Sequence, residues 1–295
     1  LKGLTKIGKR FNGIDYQTNI NIPASFLTPS QAYKHTWKNS STMQIVTFTT
    51  DFGLDDYYVA ILKGAMLQQD PGLLFIDITH RVKPYDIVQG AFVLKNAYHN
   101  FPENTIHVIS VNNDSERLSF IAFRHNGHYF VGPDNGIFSL MFDELPPAYH
   151  LDYQPDSAFP LKEVFAHAVG HLAAGKPLME IGLPATKTER RIALQPVIST
   201  SQIRGSVIYI DHYENVVVNI PQDLFEKVRN GRQFGLFFKR HDPITTLSRR
   251  YQDVPVGETL CLFNSAGHLE IAINMGKASS LLGLNLDDMV QVDFY

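Results

Sequence analysis

Several carboxylate- and amide-bearing segments stand where strand-like runs end. Thr50-Asp51-Phe52-Gly53 closes the apolar run Ile45–Thr50, Asp77-Ile78-Thr79-His80 closes Leu73–Ile78, and Asn112-Asn113-Asp114-Ser115-Glu116-Arg117 follows Thr105–Val111. A carboxylate at the end of a first strand can accept two hydrogen bonds from a ribose diol, and a following glycine lets the backbone approach closely. Asp before Gly is equally at home in an ordinary turn. Neither GxGxxG nor GxxxxGK followed by Ser or Thr occurs, so the usual backbone cradle for a pyrophosphate or triphosphate is absent. A second polar set lies far along the chain, in Asp211-His212-Tyr213-Glu214-Asn215 and Asn264-Ser265-Ala266-Gly267. Glu163, His167 and His171 share a helix face at i, i+4 and i+8. They span two full turns, too far for one ion, and read as a partly buried polar face; no metal site is expected.

These residues need a frame. Tyr57–Gln69 carries Ile61, Leu62, Ala65 and Met66 at helical spacing and stops at Pro71-Gly72. Asp86 is a candidate N-cap for a helix reaching about Asn100. Leu118–Arg124 and His128–Val131 flank Asn126-Gly127, a hairpin signal. Short helices are expected over Gly136–Asp143 and Lys162–Ala174. Alternating strand and helix predicts an α/β domain with a mostly parallel sheet in Rossmann-like layers over residues 43–186. Ligands of such sheets sit beyond the carboxyl ends of the strands, which gathers Asp51, Asp77–Arg81 and Asn112–Arg117 around one crevice. Residues 187–201 read as a connector. Short strands then follow over 202–295 (207–210, 216–220, 234–238, 259–263, 269–273 and 289–294), with turn signals at Asn230-Gly231 and Asn264–Gly267. They predict a smaller all-β, barrel-like domain. Residues 1–42 are polar and weakly periodic, and a strand pattern begins at Met43. They are expected to be an upstream extension or a poorly ordered tail.

Composition bounds the rest. The 295 residues are 44% hydrophobic and 19% charged, with a net charge of −3, ordinary for a globular chain. No basic stripe suggests nucleic acid, and no apolar run is long enough to span a membrane. Cys261 is the single cysteine, so no intrachain disulfide can form and a reducing, cytoplasmic setting is expected. It lies in an apolar run and reads as a core residue.

Taken together, Thr50–Gly53, Asp77–His80, Val82-Lys83-Pro84-Tyr85-Asp86 with Gly90-Ala91, Pro133-Asp134-Asn135-Gly136, Ile210–Asn215 with Asn219-Ile220, and Asn264–Gly267 with Glu270-Ile271-Ala272 resemble the S-adenosylmethionine (SAM) hydroxide adenosyltransferase family, relatives of the SAM-dependent chlorinase and fluorinase. The resemblance runs from Met43 to Tyr295. It implies an N-terminal α/β domain, a C-terminal β-barrel, and a homotrimer with an adenosyl ligand at the subunit interface. SAM enters as substrate or ligand, and no separate cofactor is implied. By the same resemblance Asp51 holds the ribose hydroxyls, with Phe52 beside it, and Tyr85 lines the sugar and sulfonium region. Asp211 and Asn215, with Tyr213 between them, meet the methionine part. Ser265 lies near its carboxylate and Asn264 beside that.

The sequence departs from the family where water is handled. The hydrolase branch uses an Asp, an Arg and a His. Asn112 falls at the Asp position, Arg117 matches the Arg, and Pro160 replaces the His. Asn112 can orient a water but cannot accept its proton, and Pro160 offers no polar group. Loss of a positioned base costs about 10²–10⁴ in rate. Asp114 is a candidate substitute carboxylate, or else a solvated turn residue. A halide pocket is not expected, because Leu161 stands where the halogenases carry a small residue and Asn112 where they carry a Tyr. Glu214 replaces a usual Gly, which raises the possibility of a blocked or altered pocket, and Ala266 lacks the charged side chain that the fluorinase uses.

Overall fold

The computed structural model describes residues 43–113, 119–151 and 159–295. The expectations for residues 1–42, for Asp114 and for Arg117 therefore lie outside the described residues. The first sheet holds β1 (Ile45–Thr50), β2 (Leu74–Thr79), β3 (Ile106–Ser110), β4 (Phe120–His125), β5 (His128–Pro133) and β6 (Ala148–His150) in the order β2-β1-β3-β5-β4-β6. Pairings β1–β2, β1–β3 and β3–β5 are parallel, and β4 pairs antiparallel with β5 and β6. The expected α/β layering is present. Helices α1 (Tyr58–Gln69), α2 (Ile87–Ala97), α3 (Ile137–Met141) and α4 (Pro160–Ala173) cover the sheet. Along β1, Val46 and Phe48 enter a core with Leu62 and Met66 of α1 and Val164, Phe165 and Val169 of α4. The opposite face packs Ile109, Val111 and Phe130 against Ala91 and Leu94 of α2 and Ile137 and Met141 of α3. Strands buried on both faces need helices on both sides.

Local signals explain the boundaries. Asp86 caps α2, its Oδ1 accepting from the Gln89 amide at 2.9 Å. The β4–β5 hairpin turns through Asn126 and Gly127, both at positive φ. Helix α4 starts two residues before the expected Lys162, because Pro160 occupies the first helical position, where its missing N–H is harmless.

The second sheet holds β7 (Val197–Ile198), β8 (Gln202–Ile210), β9 (Val216–Pro221), β10 (Phe234–Phe238), β11 (Thr259–Phe263), β12 (His268–Ile273) and β13 (Met289–Phe294), in the order β10-β13-β8-β9-β12-β11 with β7 beside β8. All pairings are antiparallel. Strand β8 pairs with β13 along residues 202–206 and with β9 along 207–210, so the sheet curls into a half-barrel around Phe225, Leu236, Ile271 and Val292. Helices α5 (Gln222–Arg229) and α6 (Ala278–Leu282) are additions to the all-β pattern that the sequence predicts. Asn230-Gly231 ends α5 instead of turning between strands: Asn230 adopts the left-handed cap conformation, a second use of the same residue pair. Cys261 is buried in this core, which pushes its thiol up to about 12.

A buried histidine pair sits under α2. Thr47 Oγ1 lies 2.7 Å from His107 Nδ1, and His107 Nε2 lies 3.3 Å from His128 Nδ1. Burial, and then the neighbouring His128, push His107 down to about 3. An unfolded His titrates near 6.5, so between pH ~6.5 and ~3 the unfolded chain binds a proton that the folded chain refuses. Stability should be full above that window and fall on acidification, by on the order of 1 kcal/mol per pH unit within it. Denaturant unfolding at pH 7 and pH 5 should show this slope in the native chain and a flatter one in His107→Gln.

Candidate functional site

Asp51 leaves the carboxyl end of β1 and gathers the loops around it. Its Oδ2 accepts the backbone amides of Tyr85 at 3.0 Å and Asn112 at 3.1 Å. Both donors are held at positive φ, 68° and 55°. For Tyr this conformation costs roughly 1 kcal/mol or more, so the carboxylate holds a strained pair of loops in place. Asn135 locks the second loop: its Nδ2 donates to the carbonyls of Val111 at 2.9 Å and Asn112 at 3.0 Å, and its Oδ1 accepts from Ile137 N. Asp51 Oδ1 and the Asn112 side chain make no hydrogen bond among the described residues. Of the residues expected around one crevice, Asp51 is hydrogen-bonded to Asn112, and His80 to the Asp51 turn through Gly53; the Asp114–Arg117 part lies outside the described residues.

Aromatic rings run from this anchor to the start of α4. Phe52 lies 6.1 Å from Tyr58, Tyr58 lies 5.4 Å from Phe159, and Tyr57 lies 4.9 Å from Tyr58, ring centre to ring centre. Pro160 follows Phe159 directly and adds no polar group to this end. Tyr85 is 64% exposed.

The second polar set forms a separate pocket of about 580 Å³ on the curled sheet, lined among others by Tyr209, Asp211, Tyr251, Asn264, Ser265 and Glu270. Asp211 is braced by Asn215, whose amide donates to Oδ1 at 2.8 Å and whose Nδ2 donates to Oδ2 at 3.0 Å. Asn215 is buried behind Asp211 rather than lining the pocket, and Tyr213 is exposed, with its ring against His212. Asn264 Oδ1 accepts the amides of Ala266 and His268, which shapes the Ser265 turn, and its Nδ2 donates to Glu270 Oε2 at 3.1 Å. Phe92 of α2 stacks on Tyr209 at 4.7 Å and ties the first lobe to the pocket wall. Asp51, Phe52, Tyr85 and Asn112 do not line this pocket.

Residues 46–182 match the SAM hydroxide adenosyltransferase N-terminal domain, and residues 205–291 match the C-terminal domain of the same description. The chain belongs to the SAM hydroxide adenosyltransferase family. Among its relatives is a protein named (R)-S-adenosyl-L-methionine hydrolase from Thermus thermophilus, 30% identical over 261 residues that cover 82% of this chain and 96% of the relative. One of the same name from Methanocaldococcus jannaschii is 29% identical, covering 85% and 96%. A fluorinase from an Actinoplanes species is 27% identical, covering 78% and 91%. An uncharacterized conserved protein from Thermotoga maritima has a similar crystal structure, with a TM-score of 0.76, 29% identity and coverage of 84% of this chain and 99% of that one.

Sequence reasoning gives no role to two residues that line this family member's pocket. Glu270 is 3% exposed, and Tyr251 donates to its Oε1 at 2.8 Å. Burial raises the Glu270 carboxyl; Tyr251 is pushed far above the usual phenol range by its own burial and then by Glu270. The one signal available is a lone charge in the apolar strand Leu269–Ile273, on the face opposite Leu269, Ile271 and Ile273. Tyr251→Phe should leave the Glu270 carboxylate short of a donor and lower stability by about 1–2 kcal/mol at neutral pH, toward the smaller end because Tyr251 is partly exposed. The loss should shrink on acidification as Glu270 takes up a proton, which thermal melts across pH will read.

Glu214 does not line the Asp211 pocket. Its carboxylate turns to the start of α6, paired with Lys277 Nζ at 2.8 Å and bonded by the Ser280 hydroxyl and amide. Those bonds, Lys277's first, hold its carboxyl below the usual range. His171 Nε2 lies 2.8 Å from the Pro177 carbonyl, and among the described residues no group of three His, Cys, Asp or Glu is placed to hold a metal ion. No helix among the described residues is long and apolar enough to cross a membrane.

Proposed function

We propose that this protein binds SAM and hydrolyses it to adenosine and L-methionine, by attack of water at the ribose C5′. One observation carries the reading. Asp51 stands at the end of β1 with one carboxylate oxygen committed to two loop amides and the other without a partner among the described residues, a poised acceptor for a ribose hydroxyl. The water oxygen bonds to C5′ as the C5′–S bond breaks. The electron pair of that bond goes to sulfur, methionine leaves as a neutral thioether, and one proton passes to solvent. The leaving group needs no acid, so the protein must supply orientation, desolvation and a placed water. Tyr85 adds cation–π attraction to the sulfonium, on the order of 1 kcal/mol. The relatives' names specify the (R)-sulfonium, which makes that epimer the first substrate to test. The machinery is degenerate: Arg117 remains, Asn112 stands in place of the Asp, Asp114 is a candidate substitute carboxylate or else a solvated turn residue, and Pro160 contributes nothing to the water.

A second reading, a catalytically silent SAM or adenosine binder, is favoured by Asn112 and Pro160 specifically. Incubation with each sulfonium epimer, with adenosine followed by chromatography and binding by calorimetry, separates the two. Adenosine above background supports hydrolysis, binding without adenosine supports the silent binder, and neither overturns both.

The reading includes a site completed between subunits of a homotrimer. It is supported by Asp51, Phe52, Tyr85 and Asn112 all standing outside the lining of the Asp211 pocket. Light scattering should give three times the 33.3 kDa chain mass.

A further inference from the structure

We propose that His80 is the positioning residue of the Asp51 anchor, fixing the carboxylate for a ribose diol from both sides of the turn; this rests on the diol reading above. His80 is 3% exposed and belongs to neither the Asp211 pocket nor the water-handling set. Its Nδ1 lies 2.8 Å from Thr50 Oγ1, one residue before Asp51. Its carbonyl accepts the Gly53 amide at 2.8 Å, two residues after Asp51. Gly53 sits at φ 73°, so the turn is a tight one that needs holding. Val82 N donates to the Thr50 carbonyl at 3.2 Å and closes the same grip.

The ring is held in turn. His80 Nε2 lies 3.1 Å from Asp77 Oδ1, and Asp77 Oδ2 takes Lys63 Nζ at 2.7 Å. Nε2 faces the Asp77 carboxylate without forming an aligned hydrogen bond, and the hydrogen bond of the ring is the one between Nδ1 and the Thr50 hydroxyl. The Thr50 oxygen then receives the Phe52 amide at 3.4 Å. The hydrogen-bonded run His80–Thr50–Phe52 ties the ring to the start of the turn, and the Lys63–Asp77 pair stands behind the ring. Burial lowers the His80 pKa in spite of Asp77, which keeps the ring neutral. Strand β2 supplies the geometry with a register shift: Phe48 pairs with Asp77 but Thr49 with Thr79, so Ile78 is an extra residue directly before the Thr79–His80 turn.

Asp77, His80 and Thr50 also have the order of an orienting carboxylate, a base and a nucleophile. Thr50 is fully buried, so no substrate reaches its hydroxyl, and the arrangement positions rather than reacts.

The test compares adenosine with 2′,3′-dideoxyadenosine by calorimetry in the full-length protein. The wild type should prefer adenosine. His80→Phe and the isosteric Thr50→Val should each reduce that preference by on the order of tenfold, while Thr50→Ser, which restores the hydroxyl, should keep it. Thr50→Val decides the matter even if His80→Phe does not fold. Retention of the wild-type preference in Thr50→Val, or equal weakening of both ligands, overturns the inference, because a merely structural role moves both alike. A wild type that binds both nucleosides equally overturns the diol reading and the inference with it.

Discussion

Asp51→Ala should weaken adenosine binding about 10²–10⁴-fold. Two hydrogen bonds from a diol to an ionised carboxylate contribute about 1.5–3 kcal/mol each, and neither survives truncation to a methyl group. The anchor has a second consequence that separates it from an ordinary contact residue. Asp51 Oδ2 also holds the amides of Tyr85 and Asn112, both in left-handed conformations. Alanine releases both, so protection of those two amides from hydrogen exchange should be lost in Asp51→Ala. An asparagine side chain in the same place retains one oxygen to accept them, and its NH2 faces the ligand in place of the free oxygen. Asp51→Asn should therefore keep the amides protected and still lose most of the binding. Equal binding of adenosine by wild type and Asp51→Asn would remove the carboxylate from the site.

That dual role is only half legible in the sequence. The ribose role proposed for Asp51 comes from the family resemblance, since a carboxylate before Gly at a strand end also fits an ordinary turn, and the layers follow from the alternation of strand and helix periods. The hub does not, because it depends on backbone amides 34 and 61 residues away. Their availability comes from positive φ values at Tyr85 and Asn112, and nothing about Tyr85 as a residue type announces one. Asn135 shows the same limit: Pro133-Asp134-Asn135-Gly136 reads as a turn, yet its amide is spent on the Val111 and Asn112 carbonyls of a neighbouring loop. Helices α5 and α6 are hidden by brevity, and α5 also by its Asn-Gly ending, which a strand turn shares. Glu214 reads as added bulk in place of a Gly, and the sequence does not show where its carboxylate goes. Its left-handed backbone and the reach of Lys277 and Ser280 carry the carboxylate away to α6.

Restoring the two water-handling groups should raise SAM hydrolysis by about 10²–10⁴-fold in the Asn112→Asp, Pro160→His double variant. The backbone at both positions accepts the change. Asn112 is at φ 55°, a conformation that Asp tolerates about as well as Asn, and its amide bond to Asp51 does not involve its side chain. Pro160 is the first residue of α4, where an N–H needs no partner within the helix, so His there breaks no helical hydrogen bond. The carboxylate introduced by Asn112→Asp would lie near that of Asp51, and like charge raises its proton affinity, which suits a base acting near neutral pH. Neither single variant should reach the double, because a base without the second group to hold its water gains little; the excess over the product of the singles measures their coupling. Initial rates of adenosine release at saturating SAM read the effect, and KM should change less than kcat, since Asp51 and the Asp211 pocket are untouched. A double variant that binds SAM normally and releases no more adenosine than wild type would place the obstacle elsewhere, in the Asn112–Arg117 segment or at Glu214.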